Sequence, residues 1–203
     1  MTREQAAVFF LTCVGFGFIP GPALLQTVSL TMHHGRRAGF LSALGIHLGA
    51  MFQIAIVALG AVAVLEASPM LYQSLKVASG AYLVWLGILR IRASADVAGA
   101  RVLPKNVLSS SAFIEATNPK SALFYFSFLV QFTDPGRSLA LGWQLFLLGA
   151  CANLLFSLSD VVCVLLAHPL RAGVMNGQRA LKCGQWATGC LFMALGVAAI
   201  FSP

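Results

Sequence analysis

The sequence predicts an all-α integral membrane protein, with six transmembrane helices arranged as two inverted three-helix repeats. Three observations carry this expectation. The 203 residues are 59% apolar and only 9% charged, against roughly 25% charged in an ordinary soluble domain. Six long apolar stretches follow one another, each about 20 residues or more, the length a helix needs to bridge hydrocarbon. Proline-containing interruptions also fall at matching places in the first and fourth stretches. No segment alternates apolar and polar residues as the strands of a membrane barrel do.

The first stretch, Ala6 to Met32, follows Met-Thr-Arg-Glu, which resembles the start of a signal peptide. No small-residue cleavage site follows it, so it is read as the first span. Pro20-Gly21-Pro22 interrupts it near the middle. The second stretch, Ala38 to Leu65, carries His47 between Gly45 and Gly49. The third, Met70 to Ile91, carries Gly80 and Gly87. The fourth, Val107 to Phe132, is interrupted by Asn118-Pro119 and holds Glu115 and Lys120. The fifth, Leu139 to Ala167, holds Asn153 and Asp160, and the sixth, Leu181 to Phe201, repeats the glycine spacing of the third with Gly189 and Gly196. The expected organisation is one domain over 1–203: repeat one at 6–92, a cytoplasmic linker at 93–106, and repeat two at 107–203.

The formal net charge is +7, but the basic residues sit in short clusters between apolar runs, as membrane anchors do, with no interleaved aromatics for base stacking. Nucleic acid is therefore excluded as a partner. Six spans place Arg36, Arg37, Arg90, Arg92, Arg101, Lys105, Arg171, Arg179 and Lys182 on one side, and Arg3, Arg137 and Lys76 with Glu4, Glu66 and Asp134 on the other. The positive-inside rule makes the first side cytoplasmic and both termini external.

Proline removes a backbone donor and glycine releases the chain from helical geometry, so the first span should break into two half-helices. A half-helix N-terminus suits a carboxylate and a C-terminal end suits an ammonium, so such breaks fit a zwitterion such as an amino acid. Broken segments at matching places in two halves point to a midplane transporter site. The competing reading is a pair of packing kinks.

Ionisable groups inside a span are functional candidates, because they are costly there unless paired or hydrated. Glu115 either holds a proton or a substrate ammonium, or is an interfacial acid. Lys120 either touches substrate, snorkels, or pairs with Asp160, and Asp160 is an ion-pair partner or a gate. His47 is either a hydrogen-bonded core histidine or a group that titrates near neutral pH. Glu115, Asp160 and His47 are the candidates for proton coupling or gating.

The five cysteines show no Cys-x-x-Cys spacing, and His33, His34 and His168 lie at span ends without metal-ligand spacing. No metal site and no cofactor are expected. No phosphate loop, catalytic triad or carboxylate pair is evident, so an enzyme is not expected. A metal-ion exporter and a thiol redox relay of similar architecture remain as alternatives.

Gly-Phe-Ile-Pro-Gly-Pro at 17 to 22, Gly-Arg-Arg-Ala-Gly at 35 to 39, the run Gly-Ala-Tyr-Leu-Val-Trp-Leu-Gly-Ile from Gly80, and Asn-Pro-Lys at 118 to 120 followed by Leu-Phe-Tyr-Phe and Gln131-Phe132 together resemble the LysE/RhtB family of amino-acid exporters. The resemblance runs in order along nearly the whole chain. It implies a multi-pass protein of the bacterial inner membrane, driven by the proton gradient, that exports amino acids such as threonine, homoserine, leucine or lysine. It also implies that Pro20, Gly21, Pro22, Asn118, Pro119 and Lys120 line the transport path. The implied partners are a small-molecule substrate and the lipid bilayer; a homo-oligomer is left open. The chain departs from the family pattern at Ala50, where an acid is usual, at Gln53, where a histidine is usual, and at Val130, where a proline is common.

Overall fold

The computed structural model describes residues 3–18, 21–92, 105–134, 136, 138–174 and 178–201, and all their regular structure is helical. Pro20, Arg101, Arg137 and positions 93–104 of the expected linker lie outside the described residues, as do the side chains of Lys76, Arg90, His168, Arg171, Arg179 and Cys183. The helices are α1 (Arg3–Gly17), α2 (Pro22–His34), α3 (Arg36–Ala67), α4 (Pro69–Arg92), α5 (Val107–Ala116), α6 (Pro119–Leu129), α7 (Leu141–Val174) and α8 (Gln178–Phe201), with a 3-10 turn at Val130–Phe132.

Every apolar stretch expected from the sequence is occupied by a helix or by a broken pair of helices. Arg36–Val64 and Leu141–Ala167 are long and apolar enough to cross a bilayer, and α1 with α2 adds a third span if their 51° bend is taken as one interrupted helix. Of the other helices, α5 and α6 are short because Asn118 splits one apolar stretch, and α4 and α8, each 24 residues long, carry apolar segments at Gly80–Leu89 and Gly189–Ala198 among the described residues.

The outer surface explains where these helices belong. Leu44, Leu48, Phe52, Ile56 and Leu59 form an exposed ladder along α3, and Leu147, Leu154, Leu158 and Leu165 form another along α7. Leu59 and Leu154 are each 73% exposed. Water would penalise such continuous apolar stripes, whereas lipid accommodates them.

Close backbone approach at glycine brings the halves together. A Cβ on Gly87 would meet the carbonyl oxygen of Gly189, and one on Gly196 would meet that of Gly80. The two glycine pairs of α4 and α8 thus meet crosswise, first with second, which makes the helices antiparallel. Small residues permit this contact in lipid, where dispersion must replace a hydrophobic driving force. Gly45 and Gly49 let α3 lie against the backbone of α5 at Leu108 and Ala112. Between α2 and α3, Gly35 takes φ +85, and its N–H closes α2 on the Thr31 carbonyl at 3.0 Å. Only glycine adopts that backbone without strain.

Candidate functional site

Both interruptions are built by the residue that precedes a proline, since the proline ring drives its predecessor out of helical geometry. Gly21 is extended (φ -138, ψ 177) with Pro22 opening α2, and Asn118 is extended (φ -76, ψ 106) with Pro119 opening α6. The two breaks then differ in how they treat their freed polar groups. Asn118 uses all of its own: Oδ1 accepts from the Lys120 N–H at 3.1 Å, Nδ2 donates to Glu115 Oε2 at 3.0 Å, and its N–H reaches the Glu115 carbonyl at 3.0 Å. Its carbonyl accepts from Ala122 and from Gln53 Nε2 at 2.9 Å. Gly21 has no side chain to offer, and α2 begins without a side-chain cap.

A cavity of about 60 Å³ opens between these breaks. It would hold a few waters, and it is small beside the roughly 300–1,000 Å³ of a drug-sized ligand pocket. The first break contributes Gly17, Gly21, Ala23 and Leu24; the second contributes Glu115, Asn118, Lys120 and Ser121; Asp160 and Phe156 come from α7. Glu115 is buried at 5% exposure and is also hydrogen-bonded to Ser121. The Lys120 ammonium lies 4.6 Å from the centroid of the Phe16 ring, within cation–π range.

Behind Asp160 lies a second layer. His47 Nε2 is 3.1 Å from Asp160 Oδ2, and His47 Nδ1 is 2.7 Å from Asn153 Oδ1. Asn153 Nδ2 donates back to the His47 carbonyl at 3.2 Å. Seven residues separate Asn153 from Asp160 along α7, two helical turns, so one histidine on α3 engages both.

Different materials pack on the two sides of the breaks. Towards the C-terminus of α2 and the N-terminus of α5, Gln26 Nε2 donates to Ser111 Oγ at 3.0 Å, Ser111 Oγ to Ser42 Oγ at 3.0 Å, and Thr27 Oγ1 lies 3.1 Å from Ser42 Oγ. All four residues are buried. Towards α1 and α6 the contacts are rings: Phe16 on Phe124, Phe124 on Phe128 and Phe9 on Phe128 are stacked, with Phe132 edge-on to Phe9.

Of the residues that the sequence points to, Gly21, Asn118, Lys120, Glu115 and Asp160 share the cavity wall, and His47 stands behind it. Pro22 and Pro119 are exposed and off the wall; they shape the breaks without lining the space between them. Pro20 lies outside the described residues. Lys120 contacts an aromatic ring, the partner that the sequence does not suggest. Gln53, Ser121 and the Gln26–Ser111 cluster were not singled out as site residues; the available signal was a polar side chain within an apolar helix, the same signal that flags Glu115.

A bundle of apolar helices with two broken members around a small charged cavity defines a membrane translocator. The LysE type translocator model matches residues 15–202, and the chain belongs to that family. It is 29% identical to a homoserine/homoserine lactone efflux protein of Salmonella typhimurium over 97% of this chain and 96% of the relative. It is 33% identical to a leucine efflux protein of Enterobacter sp. over 62% of this chain and 64% of the relative. An uncharacterized membrane protein of Pseudomonas aeruginosa is 28% identical over 88% of this chain and 87% of its own length. No solved structure matches.

Proposed function

We propose that this chain exports amino acids or close derivatives across the bacterial inner membrane by proton antiport. The observation that carries the reading is that both interrupted helices meet on one cavity holding two carboxylates and an ammonium. A zwitterion finds complementary groups there: Glu115 and Asp160 for its ammonium, Lys120 and the uncapped first turn of α2 for its carboxylate. The efflux proteins among its relatives support the substrate class.

Six spans in two inverted repeats, 6–92 and 107–203 joined by the linker 93–106, accommodate the packing. Exchanging the halves turns the α3–α5 contact into α7–α1 and the α2–α7 contact into α6–α3, and all four occur. The crosswise glycine pairs of α4 and α8 map onto each other in the same way. In this arrangement the chain is a single transport domain with external termini. The hydrogen-bonded cluster is the cytoplasmic closure and the stacked rings are the external one. Rocking of the repeats exposes the cavity to each side in turn. Glu115, Asp160 and His47 are the groups through which a proton would be coupled.

Purified protein in liposomes loaded with a panel of amino acids tests this reading. Efflux above that of empty liposomes, stimulated by an opposing pH gradient, is expected for at least one substrate. Flux unchanged across the whole panel would end the proposal. Wild-type coupling in Glu115→Gln would remove that carboxylate from the mechanism.

A further inference from the structure

The hydrogen-bond network around His47 counts protons. Asn153 Nδ2 donates to the His47 carbonyl, so the amide oxygen must be the atom 2.7 Å from His47 Nδ1. An amide oxygen only accepts, and Nδ1 therefore carries a hydrogen. In a neutral imidazole the remaining nitrogen, Nε2, would then present a bare lone pair to Asp160 Oδ2 at 3.1 Å. Two acceptors at that distance repel. Nε2 is buried and completes no hydrogen bond among the described residues, so its 3.1 Å approach to the carboxylate is favourable only with one further proton between ring and carboxylate.

The same proton balances the charge of the cavity. Lys120 supplies one positive charge, and Glu115 and Asp160 supply two negative ones. The other titratable groups within reach of the Asp160 charge are Tyr125 from α6 and Cys163 of α7, both neutral in their ordinary states; Glu115 from α5 interacts with both Asp160 and His47. The residues that α1 and α2 present to the cavity are Phe16, Gly17, Gly21, Ala23 and Leu24, none of them ionisable. The cluster is thus neutral with the extra proton and carries one net negative charge without it, an expensive state away from water unless a substrate ammonium pairs with the freed carboxylate while the substrate's own carboxylate is taken by the helix-terminal donors of α2.

We propose that the coupling proton resides between His47 Nε2 and Asp160 Oδ2, and that the substrate ammonium competes with it for the Asp160 carboxylate. Asp160 can do both because it lines the cavity while its Oδ2 faces His47. An outside proton binds the Nε2 lone pair as the ammonium leaves Asp160 outward. On the cytoplasmic side the N–H bond breaks, the proton enters water, and the next ammonium takes its place. One proton moves inward for each amino acid moved outward, with no other species required. This assignment rests on the export reading above and adds the identity and stoichiometry of the proton site.

Two measurements test it. In liposomes whose membrane potential is clamped at zero, because each exchange of a proton for a zwitterion moves one charge, wild-type protein should concentrate substrate about tenfold per unit of pH gradient, the limit of a one-for-one exchange, and His47→Gln should show no gradient-driven concentration. Gradient-driven concentration that survives His47→Gln overturns the proton assignment and leaves the exporter standing; absence of all transport by the wild-type protein removes the exporter reading itself. The second measurement is independent of any variant's folding. In wild-type protein with 15N-labelled histidine, His47 being one of four, Nδ1 should stay protonated at every pH while Nε2 alone gains and loses its proton, at a midpoint moved by added substrate. Loss of the Nδ1 proton, or a midpoint that transported substrate leaves in place, contradicts the proposal.

Discussion

The two breaks start from the same chemistry and end in opposite states. At the second, Asn118 satisfies the first turn of α6 with its own side chain, ties Glu115 into place and receives Gln53 on its carbonyl. At the first, Gly21 leaves the opening turn of α2 without a side-chain cap, and Ala23 and Leu24 of that turn border the cavity. A backbone that is internally satisfied is rigid and needs no guest, whereas helix-terminal donors facing a hollow gain most from a bound anion. The second break is thus the fixed frame that orients the cavity's charged groups, and the first is the one whose backbone donors are left for a guest.

Substitutions at the two breaks separate these roles. The largest effect is expected from Asn118→Ala, which removes the bonds to Lys120 N–H and to the Glu115 carboxylate; a charged acceptor is worth about 1.5–3 kcal/mol and a neutral bond about 0.5–1.5. Unfolding in detergent should therefore become easier by about 3 kcal/mol, and a change under half of that would show that Asn118 does not frame the site. Gln53→Leu removes the bond to a carbonyl that still accepts from Ala122. It should cost about 0.6 kcal/mol, and at most about 1.7, the range for interhelical bonds in membranes.

The smallest stability effect, and the sharpest contrast, belongs to Gly21→Ser. Serine can cap α2, and it exceeds glycine there by a few tenths of a kcal/mol. The variant should be as stable as wild type or slightly more so, yet its KM for export should rise, because the new hydroxyl occupies donors that substrate would use. An unchanged KM with a cap demonstrably formed would place carboxylate recognition elsewhere.

Much of this fold is legible in the sequence, because hydrophobic run length, proline position and glycine spacing each act locally. The helix starts at Pro22 and Pro119 follow from a ring that displaces its predecessor, and the glycine spacing shared by the third and sixth stretches corresponds to the crosswise α4–α8 contact. Less legible is whatever depends on which helix face meets which. Asp160 and His47 are 113 positions apart, and only the α3–α7 packing joins them. Glu115 stands as a candidate from its acidity alone, but its bonds to Asn118 and Ser121 depend on the turn between α5 and α6. The prolines illustrate the opposite limit: their effect on backbone is readable, but not that Pro22 and Pro119 would lie off the wall they create.

The materials packed on the two sides of the breaks add a second contrast. Gln26, Thr27, Ser42 and Ser111 can exchange one another for water when they separate, at little net change in hydrogen bonding. The stacked rings of Phe9, Phe16, Phe124 and Phe128 lose apolar contact when they part and gain nothing from water. The hydrogen-bonded side is the easier one to wet.

That substrate occupies the space between the breaks is tested most directly at Ala23, on the cavity wall at the uncapped turn of α2. With the five native cysteines replaced by serine and Ala23→Cys introduced, the rate of thiol modification is measured with and without a transported amino acid. Half-maximal protection should fall at the concentration that half-saturates export. Modification that proceeds at one rate whether or not the transported amino acid is saturating would contradict a cavity-bound substrate.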